Sequence, residues 1–275
     1  MTPRPRLIVG NWKMHKTIPE AVGLVERLTD LLKKSPPTNV TIVIAPPFTA
    51  LSAVASALTT HGLFEGTGGG ASRPGPPPVE LAAQDMHWED AGAYTGEISP
   101  LMLKDLGCRY VIVGHSERRR SFGETDALVQ KKVRAALHHG LRPILCIGET
   151  WDQRARNQTE SVLAPQLTEA LTGVDKDHGT EVVIAYEPVW AIGSGQPATP
   201  AQAREAHRHI RARLTALWGH ETGGRVPILY GGSVTPENIG ELLAIREVDG
   251  ALVGGACLDP AQFARILAVA SSAKA

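Results

Sequence analysis

Three side chains in this 275-residue sequence carry complementary chemistry, and each stands at the polar exit of a short apolar run: Lys13, His115 and Glu187. An ammonium, an imidazole and a carboxylate gathered at one mouth make a general acid–base centre with a cation beside it. Any one of them alone reads as a surface charge; the shared setting singles out all three. Two further runs end in Gly231-Gly232-Ser233 and Gly254-Gly255. Glycines at such places expose backbone N–H groups, the usual means of holding a phosphate where a helix begins. The pattern predicts proton chemistry next to an anion site.

Eight β-branched or apolar runs must position these residues: Leu7–Val9, Val40–Ile44, Val79–Ala83, Tyr110–Val113, Pro143–Ile147, Glu181–Tyr186, Pro227–Tyr230 and Gly250–Val253. Each ends in polar or glycine-rich residues and is followed by a helical pattern. Near-continuous apolar strands alternating with helices indicate a parallel sheet buried on both faces. Eight such units favour an α/β protein built as one closed (β/α)₈ barrel over residues 1–275, with an open doubly wound sheet as the pattern's alternative. Thr17 and Glu20 form a capping box ahead of the apolar stripe Ala21, Leu24, Val25, Leu28, Leu31 and Leu32. Thr199-Pro200, Thr235-Pro236 and Asp259-Pro260 read as helix starts, and Gly173 and Gly219 as helix stops. The Gly/Pro-rich stretch 61–78 falls between the second helix and the third strand and reads as a loop insertion on the face away from the chemistry.

Several other signals read as structural. Lys plus Arg and Asp plus Glu each number 28, so a zero net charge gives no global pull toward nucleic acid or an acidic membrane. Residues 40–60 lack charge but contain Pro46-Pro47 and six Ser or Thr, which predicts strand, turn and helix and no membrane span. The start shows no apolar core of signal-peptide length. Three cysteines, Cys108, Cys146 and Cys257, are too few for a disulfide framework and point to a reducing compartment, the cytoplasm. Gly66–Ala71 matches a dinucleotide fingerprint loosely but follows a helix, and Ser116 lacks the closing glycine of a nucleophile elbow. The ten histidines show no metal-ligand spacing. His207 and His209, among Arg204, Glu205, Arg208, Arg211 and Arg213, read as a solvated helix face; His138-His139 reads as a helix end and Cys146 as core.

The segments NWKMH, GHSERR, AYEPVWAIGSG, LYGGSV and DGALVGGA resemble the signatures of the triosephosphate isomerase family, from the first strand to the last helix. The resemblance implies a TIM barrel that interconverts dihydroxyacetone phosphate and glyceraldehyde 3-phosphate without a metal or organic cofactor, as a homodimer. It implies Glu187 as the base and His115 as the neutral electrophile, a pairing this family exemplifies. Lys13 is implied as the cation, with Asn11 beside it and Glu117 orienting it. Gly193, Ser233, Gly254 and Gly255 would hold the phosphate. Pro188, Val189, Trp190, Ala191, Ile192, Gly193, Ser194 and Gly195 would form a lid that meets Ser233 and Tyr230. Residues 84–100 resemble a loop that enters the neighbouring subunit, with Thr95 near its Asn11–Lys13 region and Glu97 near Arg118. Ser194, Gln196 and Cys257 depart from the family's common Thr, Lys and Ser. Two rival expectations stand beside this one: an isomerase of a four-carbon ketose phosphate such as erythrulose 1-phosphate, and an idle barrel that binds phosphorylated ligands.

Overall fold

A computed structural model describes residues 4, 6–64, 78–193 and 197–273. Its strands are β1 (Arg6–Asn11), β2 (Val40–Ala45), β3 (Val79–Ala83), β4 (Tyr110–Val113), β5 (Arg142–Ile147), β6 (Val183–Tyr186), β7 (Ile228–Tyr230) and β8 (Gly250–Val253). They pair in parallel in chain order, and β8 returns to β1 to close the barrel. Val9 lies opposite Val43 on one side and Leu252 on the other. Successive side chains of a strand point to opposite faces. Accordingly Leu7, Val9, Val43, Tyr110, Ile112, Ile144, Val183, Leu229 and Leu252 pack together inside the barrel. Their neighbours Ile8, Ile42, Ile44, Val111, Ile184 and Ile228 pack outward against helices. Both faces are dry, which is why the strands read as continuous apolar runs. Gly250 permits the closing seam: a Cβ there would lie 1.9 Å from the Leu7 carbonyl oxygen.

The outer layer begins with α1 (Ile18–Lys34), α2 (Phe48–Thr60), α3 (Pro100–Asp105), α4 (Ser116–Phe122) and α5 (Asp126–His138). It continues with α6 (Trp151–Ala155), α7 (Thr159–Ala170), α8 (Pro200–Gly223), α9 (Ile239–Leu243) and α10 (Pro260–Ser272). The Glu20 carboxylate accepts from the Thr17 backbone N–H at 2.8 Å, and Thr199 Oγ1 accepts from the Gln202 N–H at 3.3 Å. Asp259 caps α10 through the Ala261 and Gln262 amides. Gly173 has φ +79° just after α7, and Gly219 breaks α8 with φ +78° before a last helical turn. The ends flanking the expected insertion meet, because the Val79 N–H donates to the Leu63 carbonyl at 2.7 Å. Residues 65–77, including the Gly66–Ala71 fingerprint, lie outside the described residues. Among the described residues no helix is long and apolar enough to cross a membrane.

Three expectations need correction. Glu181 and Val182 are not in β6: Lys176–Glu181 is a 3-10 turn whose carbonyls at Thr180 and Glu181 accept from the Arg142 guanidinium at 3.1 and 3.3 Å. Thr235-Pro236 opens a turn, not a helix, since Asn238 Oδ1 accepts from the Thr235 N–H at 2.8 Å and α9 starts at Ile239. His207 is buried, not solvated, although Arg204, Glu205 and Arg208 around it are exposed. Its ring meets Tyr186 edge-on at 5.7 Å and lies over Tyr230 at 6.5 Å, while Nδ1 pairs with the Glu247 carbonyl.

Burial lowers the His207 pKa from 6.5 to about 4, opposed by the hydrogen bond to the Glu247 carbonyl and aided by the nearby Arg211 charge. The unfolded chain takes up this proton below its ordinary value, whereas the folded ring resists it. Stability is therefore lost as pH falls through that window, by up to about 3 kcal/mol. The unfolding midpoint will drop between pH 6.5 and 4 more steeply for the native chain than for His207→Leu in parallel urea melts.

Candidate active site

The three chemistry-bearing residues sit at the carboxyl ends of β1, β4 and β6, where the barrel opens. Lys13 adopts φ +53°, a left-handed conformation uncommon outside glycine. The surroundings hold it there: its N–H donates to Asn11 Oδ1 at 3.0 Å, and Gln84 Nε2 donates to its carbonyl at 2.8 Å. Its ammonium pairs with Glu117 Oε1 at 2.7 Å. His115 caps α4, its Nδ1 accepting from the Glu117 N–H at 3.2 Å. That bond leaves Nε2 to carry the proton of the neutral ring, and Nε2 lies 2.8 Å from Glu187 Oε1. Glu187 Oε2 accepts from the Ser116 N–H at 2.9 Å, so Ser116 contributes its amide here.

Glu187 is 2% exposed. Burial alone would raise its pKa, but His115 and the Ser116 amide outweigh this and hold the carboxyl below the usual range. Burial likewise opposes charge on His115, and the adjoining Glu187 carboxylate overcomes it, raising the imidazole pKa. The carboxylate is thus ionised at neutral pH in a dry setting. Gly148, just after β5, makes room for the Glu187 backbone, because a Cβ there would fall 1.7 Å from the Glu187 carbonyl oxygen.

A cavity of about 250 Å³ opens at this mouth. It is lined by Asn11, Lys13, His115, Glu187, Gly193, Ser233, Gly254 and Gly255, so every catalytic and substrate-binding candidate read from the sequence meets in one place. Tyr230 stands behind the wall, with its hydroxyl oxygen accepting from the Ala198 N–H at 3.0 Å. Of the expected lid, Pro188 to Gly193 are described: Val189–Ala191 form a 3-10 turn and Gly193 has φ +65°. Ser194 and Gly195 lie outside the described residues. Thr95 and Glu97 are exposed on the loop after β3. Arg118 pairs within the chain, with Glu124 at 2.6 Å and Asp85 at 3.0 Å. All three cysteines are buried, and burial pushes the Cys108 and Cys257 thiols up to about 12.

Sequence reasoning gave no role to two groups that matter here. Glu149, fully buried at the end of β5, accepts through Oε1 from Tyr186 Oη at 3.0 Å and from Trp190 Nε1 and Arg154 Nη1 at 3.2 Å. The signal was a carboxylate at a strand exit beside Gly148. Lys132 is buried on α5, with Nζ 2.7 Å from Asp85 Oδ1 and also bonded to Glu124. The pairing ties α5 to the base of the loop after β3. Nothing in the local sequence marks Lys132 as buried.

Comparison with known proteins agrees with the geometry. The family model described as Triosephosphate isomerase matches residues 6–270. A triosephosphate isomerase of Chloroflexus aurantiacus is 50% identical over 261 residues, covering 95% of this chain and 97% of its own. One from Roseiflexus castenholzii is 51% identical over 264 residues, covering 96% and 97%. One from Thermoanaerobacter is 49% identical over 264 residues, covering 96% and 99%.

The Lys132 cluster carries a stability prediction. Burial pushes the Asp85 carboxyl up, while Lys132 and Arg118 hold Glu124 below its usual range despite burial. Lys132→Met would leave two buried carboxylates sharing Arg118 alone, and breaking a buried pair from one side costs about 3–5 kcal/mol. Urea unfolding of Lys132→Met should show a loss of that size, and one clearly smaller for Lys132→Met combined with Asp85→Asn.

Proposed function

Since the chain belongs to the triosephosphate isomerase family, we propose that it interconverts dihydroxyacetone phosphate and D-glyceraldehyde 3-phosphate at the cavity lined by Lys13, His115 and Glu187. The observation that carries this reading is an ionised, buried Glu187 in contact with the Nε2 of His115, facing a cavity that also holds the Lys13 ammonium. The substrate phosphate lies against Gly193, Ser233, Gly254 and Gly255, and the carbonyl points to Lys13 and His115. Glu187 leaves the Ser116 amide and removes a proton from the carbon next to the carbonyl. The electron pair moves onto the carbonyl oxygen, where His115 Nε2–H and Lys13 stabilise the enediolate. His115 gives its Nε2 proton to one oxygen and recovers one from the other. Glu187 then returns its proton to the adjacent carbon, and atoms and charge balance.

Acid–base groups of this kind supply about 10²–10⁴-fold, too little alone for removing a proton from carbon. Phosphate binding energy and the preorganised dry site supply the rest. Residues 188–195 act as a lid over the bound substrate, excluding water and discouraging loss of phosphate from the enediolate.

The assembly proposed is a homodimer in which residues 84–100 dock on the partner, Thr95 approaching the Asn11–Lys13 region and Glu97 approaching Arg118. In support, Met14, Phe48, Tyr94, Leu101, Met102 and Phe122 are exposed, and all lie on the connections that follow β1 to β4, one side of the barrel. An apolar face of this kind marks an interaction surface. The proposed setting is the cytoplasm, with a reversible step serving glycolysis and gluconeogenesis.

The test is kcat/KM for glyceraldehyde 3-phosphate beside erythrulose 1-phosphate on one preparation. The triose should approach the diffusional ceiling of about 10⁸–10⁹ M⁻¹s⁻¹ and far exceed the tetrose. Preference for erythrulose 1-phosphate would move the protein to a four-carbon substrate, and no turnover of either would leave a binding barrel.

A further inference from the structure

The chain that leaves Glu187 is fastened to a corner of the molecule outside the substrate cavity. Trp190, three residues on, donates from Nε1 to Glu149 Oε1 at 3.2 Å, and the Val189 N–H donates to the Glu149 carbonyl at 3.1 Å. Two side chains of α6 complete the attachment. The Arg154 guanidinium lies over the Trp190 ring at 5.3 Å while pairing with Glu149 at 3.2 Å. The Trp151 indole meets the Trp190 indole edge-on, with centroids 5.7 Å apart. None of Glu149, Trp151 or Arg154 lines the substrate cavity.

Trp151 is the member of this corner that local structure does not require. It is 59% exposed, and the capping box that starts α6 is made by Thr150 and Gln153 without it. Trp190 is its aromatic contact among the described residues. The geometry points to Trp151 as a positioning residue for the isomerisation: its indole, together with Arg154, holds Trp190 and so biases the 189–191 turn and the Glu187 carboxylate toward the arrangement in which Glu187 rests on the Ser116 amide.

This inference rests on the reading of Glu187 as a base that must leave Ser116. A contact made only in the resting arrangement stabilises that arrangement against the working one. Apparent ligand affinity is then reduced by the fraction of molecules kept at rest. Edge-to-face aromatic pairs contribute enough for a shift of about two- to tenfold. Removing the indole therefore tightens binding, the opposite of what damage to a site does.

The experiment compares the native chain with Trp151→Leu, Trp151→Gln and Trp151→Phe. Calorimetric titration with 2-phosphoglycolate, whose carboxylate and phosphate mimic the enediolate, gives Kd; steady-state assays give kcat and KM. Trp151→Leu and Trp151→Gln should lower Kd and KM by about two- to tenfold, with Trp151→Phe near native, while the thermal midpoint stays put and the near-ultraviolet dichroism of the indole pair disappears. Unchanged or weakened Kd in both Leu and Gln variants would overturn the assignment. Loss of folding in both would overturn it as well, by showing a structural role. Absence of triose phosphate turnover in the native chain would sink the isomerase reading, and the Kd comparison would still report on the clamp.

Discussion

Much of this site depends on one arrangement: a fully buried carboxylate kept ionised between an imidazole Nε2 and a backbone amide. Without His115 and the Ser116 amide, burial would push the Glu187 carboxyl pKa upward. His115 in turn is oriented from behind by the Glu117 amide at Nδ1, and Glu117 is also the partner of Lys13. Base, imidazole and cation are therefore linked through four consecutive positions, 115 to 118, of which Arg118 reaches back to the Asp85–Glu124–Lys132 cluster.

The barrel supplies what such an arrangement needs from its scaffold. Three strands end at one mouth, so His115 meets Glu187 at 2.8 Å and Lys13 meets Glu117, two residues on from His115, at 2.7 Å, although they are far apart in sequence. Positions without side chains then do much of the fitting. Gly148 allows the Glu187 backbone to pass, and Gly250 allows β8 to close against β1. The left-handed Lys13 shows the cost of the site: backbone strain held in place by Asn11 and Gln84.

Much of this was legible in the sequence because both faces of the sheet are buried. β3, β4 and β8 begin and end where their apolar runs do, and the cavity gathers the residues at the strand exits. Legibility failed where a distant group decides the outcome. Arg142 takes the carbonyls that would have extended β6, two tyrosine rings bury His207 amid a charged helix face, and Asp85 with Glu124 buries Lys132. Thr235-Pro236 failed for a local reason, since Asn238 closes a turn there before α9 can start. No rule based on composition or period sees partners tens of residues away, such as Thr180 for Arg142 or Asp85 for Lys132.

The most direct test of the central claim is single-turnover isomerisation by Glu187→Asp, with inorganic phosphate affinity measured on the same sample. Shortening the side chain by one methylene withdraws the carboxylate by more than 1 Å, a displacement that costs about 10²-fold or more in rate. The account requires that loss in kcat with phosphate affinity unchanged. Undiminished turnover in Glu187→Asp would contradict it, because the base would then lie elsewhere.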